Sequence, residues 1–524
     1  MQVQALRSQA DENGAFLASV IRMRLPNLSL FRGIALAFGA LACTPWAVAD
    51  DTGTRFDRVA WQQDYAQLKQ ALEQGYANLA WFGSLQGGAD LPALDRQTQR
   101  ALDGAENDSQ AAQALRDFVA GFHDGHFSFL STLAPTPTTS LPAPALREDL
   151  AGLDADAACA VLTSANGRIE FSLPIETIPG FHLTRDGLAQ PFRSGTWTSA
   201  GGVRTGVVRI HSFDAGDYPA LCKQEWVRLR GLPSQDEMKA ELEDAWYAAL
   251  AGVLREFAHD GVDTLLVDIG SNPGGDDSGD IATRLFSARP LQAAPLLVSQ
   301  ADTGAAYLDE QIERLSGAVD RRQPDRRERA LLREASTAFA TSRHALTGPA
   351  CDLSWVWHER RDWAAGHCRR LVPAGTSGGP LGHLPADAIA DLRLAHRLDW
   401  TQDTRAYWGS WTGPVYLLTD GKTYSSAEMF AARLHDNGVA RTVGERSGGD
   451  GCGFMVAAEP VRLSHSGLRL RMPNCVRLRG DGSDEVAGVA ADLPVVPSVG
   501  EDARVRALRV LDTVATDWRA HPGR

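Results

Sequence analysis

Apolar residues recur along this chain in two rhythms, and the change from one to the other marks out its elements. Trp61, Tyr65, Leu68, Leu72 and Tyr76 follow helical spacing, as do Ala112, Leu115, Phe118 and Val119. A Pro/Thr-rich break at 134–144 then reads as a domain boundary. Short apolar runs with glycine turns predict strands at Ile169–Leu173 and Val203–Ile210. The span 222–260 is helical, with Trp226, Leu229, Met238, Leu242, Trp246, Leu250 and Leu254 as core positions. Leu265–Ile269 is a strand, followed by the loop Ser271-Asn272-Pro273-Gly274-Gly275 and a helix over 278–287. Residues 300–405 read as an insertion with helices, carrying an Arg-rich helical patch at 320–334. Val415–Leu418 is a buried strand, 420–424 a polar turn, and Ser425 opens a helix that ends at Gly438. Residues 461–478 alternate like strands, and 502–518 form a terminal amphipathic helix. Strand–loop–helix units of this kind predict an α/β fold.

The ends and the cysteines add a compartment. Arg22, Arg24 and Arg32 precede the apolar run Gly33–Ala42, and Ala47-Val48-Ala49 offers a cleavage site. This predicts a signal peptide over 1–49, with Met1 or Met23 as the start and export to the periplasm. Cys43 offers a lipoprotein alternative, and a secreted form is also open. The apolar run is too short to span a membrane easily, so no stable span is expected after cleavage. Cysteines 159, 222, 351, 368, 452 and 475 remain, an even number that suggests disulfides in an exported chain. Neighbour pairing (159–222, 351–368, 452–475) is the expectation. No C-x-x-C occurs, which argues against a zinc or thioredoxin-type site. The net charge of −13 and the absence of a basic stripe argue against nucleic acid as a partner.

Ser425 is the candidate nucleophile, because a serine at a helix start just past a strand has outward backbone N–H groups beside it. The plain structural reading is a capping box, Ser425-x-x-Glu428. A serine nucleophile needs a base, an orienting group and oxyanion donors. His126, in Asp124-Gly125-His126, is the base candidate. The same residues could instead bind a metal through His123, Asp124 and His126, or be ordinary exposed histidines. Gly274 and Gly275, with Ser426, are the oxyanion candidates, since glycines let backbone N–H groups approach a ligand; the plain reading is a tight turn. Glu485, beside Asp484, is the orienting candidate, and by itself would be a surface charge.

Three ordered segments carry a resemblance. Leu266-Val267-Asp268-Ile269-Gly270-Ser271-Asn272-Pro273-Gly274-Gly275 resembles the D-[LI]-R-x-N-x-G-G loop of the tail-specific, or C-terminal processing, serine peptidases, with Gly270 replacing arginine. Thr423–Ala431 is similar to that family's nucleophile helix, and Val443-Gly444-Glu445 to its continuation. Glu485–Leu493 resembles its closing E-G-x-G-V-x-P-D-[IV]. The resemblance implies a crotonase-like catalytic core and a serine endopeptidase acting on protein or peptide substrates without a cofactor or metal. The dyad lysine of many members is replaced by Asp450, and the chain has only Lys69, Lys223, Lys239 and Lys422. The tricorn-like branch uses Ser, His and Glu instead, which places these roles on Ser425, His126 and Glu485. The implied organisation is an N-terminal helical domain at 50–135 carrying the histidine and a small β-rich segment at 146–205, where a PDZ module is usual. A catalytic domain follows at 206–500, interrupted at about 300–405, and a C-terminal helix at 501–524. The replaced lysine and arginine also fit a non-catalytic peptide- or ligand-binding protein on a degenerate scaffold. A hydrolase of non-peptide esters is a third reading. Oligomeric state has no signature in the sequence.

Overall fold

The structure, a computed structural model, describes residues 56–130, 150–163, 169–363, 368–381, 388–456 and 458–521. The expected signal peptide, Cys43 and the Pro/Thr-rich break lie outside the described residues.

A seven-stranded sheet organises the chain. Its strands are β1 (Phe181–Arg185), β2 (Arg193–Thr198), β3 (Arg204–Arg209), β4 (Thr264–Asp268), β5 (Val415–Thr419), β6 (Ala440–Gly444) and β7 (Leu493–Pro494). They lie in the order β7-β6-β5-β4-β3-β2-β1, parallel from β3 to β7 and antiparallel from β1 to β3. β4 and β5 are buried at every residue, which is why their sequences are unbroken apolar runs rather than alternating ones: both faces are covered. On one face Val208, Val267 and Leu417 meet Trp246, Leu250 and Phe430. These come from helices named below as α5 and α8. On the other, Val207, Leu266, Tyr416 and Leu418 meet Val510, Leu511 and Val514 of the C-terminal helix. The result is a three-layer α/β core of the crotonase-like kind.

The helices that matter are α1 (Arg58–Gly75), α2 (Leu91–Gly104), α3 (Asp108–Ala120), α4 (Pro219–Leu229), α5 (Gln235–His259), α6 (Asp302–Arg321), α7 (Arg326–Ala345), α8 (Ser426–Asp436) and α9 (Ala503–Ala520). Most begin on an Asp, Asn or Ser whose side chain accepts a backbone N–H; Asp57, Asp90, Asn107 and Ser234 do so for α1, α2, α3 and α5. The N-terminal helices bury Trp61, Tyr65, Leu72 and Phe118 against Trp355, Val356, Leu463 and Leu470, so they share a core with two distant parts of the chain. α6 and α7 pack with strands 295–299 and 371–376 into a further core that includes Cys452 and Cys475.

Several expectations change. The Arg-rich patch is not one helix: α6 stops at Arg321 and α7 starts at Arg326, where Asp325 and Glu328 form a capping box. β1 and β2 extend the central sheet instead of standing apart as a small β-rich segment. Ile169–Leu173 is not a strand: Phe171 stacks 3.9 Å from the Arg209 guanidinium, whose Nη2 donates to the Leu173 carbonyl. Side-chain contacts there override β propensity. All three disulfides pair neighbours: Cys159–Cys222, Cys351–Cys368 and Cys452–Cys475.

Candidate active site

Ser425 sits on the sharp turn from β5 into α8. Its backbone is at φ 54, ψ −121, a conformation that costs a non-glycine residue about 1–3 kcal/mol. The capping-box reading fails: the Ser425 side chain caps nothing, and both Glu428 oxygens lack a hydrogen-bonding partner inside the core. The hydroxyl is therefore uncommitted, on a strained strand-to-helix turn of the kind that presents nucleophiles. Tyr424 N–H donates to the Asn272 carbonyl, Thr423 Oγ1 to the Ile269 carbonyl, and Ser271 N–H to Asp420. These bonds lock the glycine loop onto the serine turn.

That loop approaches closely. A Cβ on Gly274 would stand 2.6 Å from Ser425 Cβ and 2.9 Å from the Ser426 nitrogen, and its φ of 106 also requires glycine. Asn272 is fully buried, donating to the Ile210 carbonyl and accepting the Gly274 N–H at 2.8 Å. The Gly274 N–H is thus already used. The Gly275 and Ser426 N–H groups are the two left beside the serine, and Ser426 Oγ accepts from Gly279 N–H behind it.

His126 is delivered by the N-terminal helices. Asp124 Oδ1 accepts the N–H groups of His126 and Phe127, and its Oδ2 accepts the Tyr76 hydroxyl. Phe127 stacks on Tyr76 at 4.8 Å, which helps bury the turn that carries the histidine. Burial holds the His126 pKa below its ordinary value, with Asp124 pulling the other way. Its Nδ1 has no hydrogen-bonding partner.

Glu485 is not the surface charge its sequence context allowed. It is 3% exposed and burial pushes its pKa up to about 8, Arg477 offsetting part of the cost. No hydrogen bond joins Glu485 to His126, or His126 to Ser425, in this arrangement. Catalytic hydrogen bonds are often long before substrate binds.

One segment touches all three. In Gly449-Asp450-Gly451-Cys452-Gly453, the Gly449 carbonyl accepts the Ser425 N–H at 3.3 Å. Asp450 Oδ2 accepts the Gly125 N–H at 2.6 Å. A Cβ on Gly451 would lie 2.3 Å from Glu485 Cδ, and one on Gly453 2.9 Å from the His126 ring. The Cys452–Cys475 disulfide ties the segment to the strand 475–477. The sequence reading used Asp450 only as a missing lysine and overlooked this segment as a junction. The density of glycines around one cysteine was the available signal. Positive φ values at His123, Ser271, Ser425 and Asp450 cluster in the same region, as strain does at functional sites. A cavity of about 730 Å³ has walls that include Asp276 and Met455, each two residues or fewer from Gly275 or Gly453.

The sequence model of peptidase family S41 matches residues 204–495, more than half of the chain. The chain belongs to peptidase family S41. It is a serine-type peptidase of the tail-specific family, and proteins are its substrate class. The structure is similar to mature CPAF complexed with lactacystin, at 15% identity over 87% of this chain and 98% of that one, TM-score 0.51. A mutant form of CPAF is similar at 15% identity over 89% and 99%, TM-score 0.50. A photosystem II D1 C-terminal processing protease matches at 15% identity over 86% and 97%, but with a TM-score of 0.28. The CPAF likenesses support the fold alone. No curated protein matches the sequence.

Proposed function

We propose that this S41 peptidase is an exported endopeptidase working through Ser425, His126 and Glu485. Ser425 Oγ attacks the scissile carbonyl while His126 takes its proton and later returns it to the leaving amine. Glu485, ionised, orients the imidazole and stabilises its charged form. The N–H groups of Gly275 and Ser426 receive the oxyanion, and Gly274 supplies the clearance that lets a carbonyl approach. General-base help contributes about 10²–10⁴-fold, and each oxyanion donor about 10²–10³-fold. The observation that carries this reading is the 449–453 segment, which contacts the serine turn, the histidine and the glutamate together. Three disulfides favour an oxidising compartment such as the periplasm. Among the described residues no helix is long and apolar enough to cross a membrane.

A fluorophosphonate probe on the full chain tests the assignment. Labelling at Ser425 that disappears in Ser425→Ala and falls at least about 100-fold in rate in His126→Ala is the expected result. Labelling that survives Ser425→Ala, or full turnover of an unfolded protein by His126→Ala, rejects it.

A further inference from the structure

The serine mechanism does not use Asp450 or the carboxylate of Asp124, yet both stand beside its histidine. Asp124, His126 and Asp450 each present a ligand atom, all within 4.8 Å of one another. His123, which the sequence suggested as a partner, is not among them. Asp450 is 2% exposed. Its Oδ2 takes the Gly125 N–H, but its Oδ1 is buried without a hydrogen-bond donor. His126 Nδ1 is likewise buried without a partner. The donors that reach the two carboxylates are neutral: backbone N–H groups and the Tyr76 hydroxyl. Two buried carboxylates this close to each other repel unless a proton or a metal ion intervenes, and the imidazole beside them offers such an ion a third ligand.

We propose that Asp124, His126 and Asp450 form a site for a divalent transition metal such as Zn²⁺, and that its occupancy switches the peptidase off by holding His126. The inhibitory half rests on His126 being the general base; the binding half does not. Imidazole with carboxylates suits zinc and its late first-row neighbours better than Mg²⁺ or Ca²⁺. Zinc bonds of about 2.0–2.2 Å place tetrahedral ligand atoms about 3.3 Å apart, so the three donors need only close around the ion, with water as a fourth ligand. The site is assembled by the fold: Asp124 and His126 come from the end of the N-terminal helices, and Asp450 from the junction segment more than 300 residues later. Bound metal occupies a ring nitrogen that the mechanism needs for proton transfer or orientation. No bond in the substrate is made or broken by the ion.

The test pairs binding with activity on the untagged full chain. Zn²⁺ is titrated by calorimetry, and Co²⁺ by its visible absorption, into the native protein, Asp450→Asn and His126→Ala. Turnover of an unfolded protein is followed across the same Zn²⁺ range for native protein and Asp450→Asn. Saturable binding of one equivalent is expected, with inhibition at the same concentration. Both should weaken at least about 10-fold in Asp450→Asn, where the amide oxygen can still accept the Gly125 N–H. Mg²⁺ should not inhibit. No saturable Zn²⁺ binding by the native protein, or binding unchanged in both variants, overturns the site. Binding at the site with no loss of turnover overturns the switch. If zinc binds as expected but the native protein shows no turnover and no fluorophosphonate labelling, the site stands and the catalytic reading falls.

Discussion

Replacing Gly451 with alanine isolates the junction segment from every other feature of the site. The residue has no positive φ that alanine would resist, so the substitution acts through space alone. The added methyl would lie 2.3 Å from Glu485 Cδ and 2.7 Å from its Oε1. Carbon atoms settle about 3.5–4.0 Å apart, so either the carboxyl or the segment must move by about 1.2 Å or more. Glu485 is enclosed on all sides, and overpacking of this kind costs about 1–3 kcal/mol of stability. A misplacement of about 1 Å at a catalytic group costs about 100-fold in rate, or about 2.7 kcal/mol of barrier. The assay is kcat/KM on an unfolded protein substrate at pH 9, where Glu485 is ionised, together with the melting temperature. Gly252→Ala is the control: it adds the same methyl in α5 with nothing within 4 Å, and should stabilise by about 0.4–1 kcal/mol without touching turnover. If Gly451→Ala keeps kcat/KM within twofold of the native protein, the segment does not position Glu485 for catalysis.

Other outcomes follow from the same geometry. The proposed triad needs neutral His126, whose pKa is lowered, and ionised Glu485, held up at about 8; kcat/KM should therefore rise with pH through about 8, and a limb centred below 6.5 would argue against a role for the glutamate. Burial also raises Glu428 and Asp484 to about 7. Because these folded-state values lie above ordinary carboxyl values, the stability they favour is fully present below about pH 4 and is lost as pH rises to about 8; the melting temperature should fall from about pH 5 to about pH 8 and level off above it. Asn272→Ala leaves the buried Gly274 N–H and Ile210 carbonyl without their partner, costing about 1–3 kcal/mol by denaturant titration and lowering kcat through the loosened loop. Converting Cys452 and Cys475 together to serine opens a loop of sequence separation 23, worth about 3 kcal/mol, and should reduce kcat more than the same change at Cys351 and Cys368, neither of which belongs to the 449–453 segment.

Much of this protein was legible in short windows of its sequence. The apolar runs at Leu265–Ile269 and Val415–Leu418 mark central strands because both faces are covered, and no polar alternation is tolerated there. Ser425 after such a run, and Gly274 after the other, lie where two adjacent parallel strands end together. The order of the cysteines also suggested their pairing. Tertiary structure decided what depends on distant burial. Capping geometry at Ser425 looked sufficient in sequence, but a positive φ leaves its hydroxyl free. Ile169–Leu173 had strand character until Arg209 claimed Phe171 and the Leu173 carbonyl. Glu485 was indistinguishable from a surface charge, since its raised pKa comes from desolvation by residues far along the chain. The meeting of Gly125 with Asp450 spans 325 positions. Local pattern sets the elements through backbone propensity and one-sided burial, whereas such contacts exist only once separate cores have packed together.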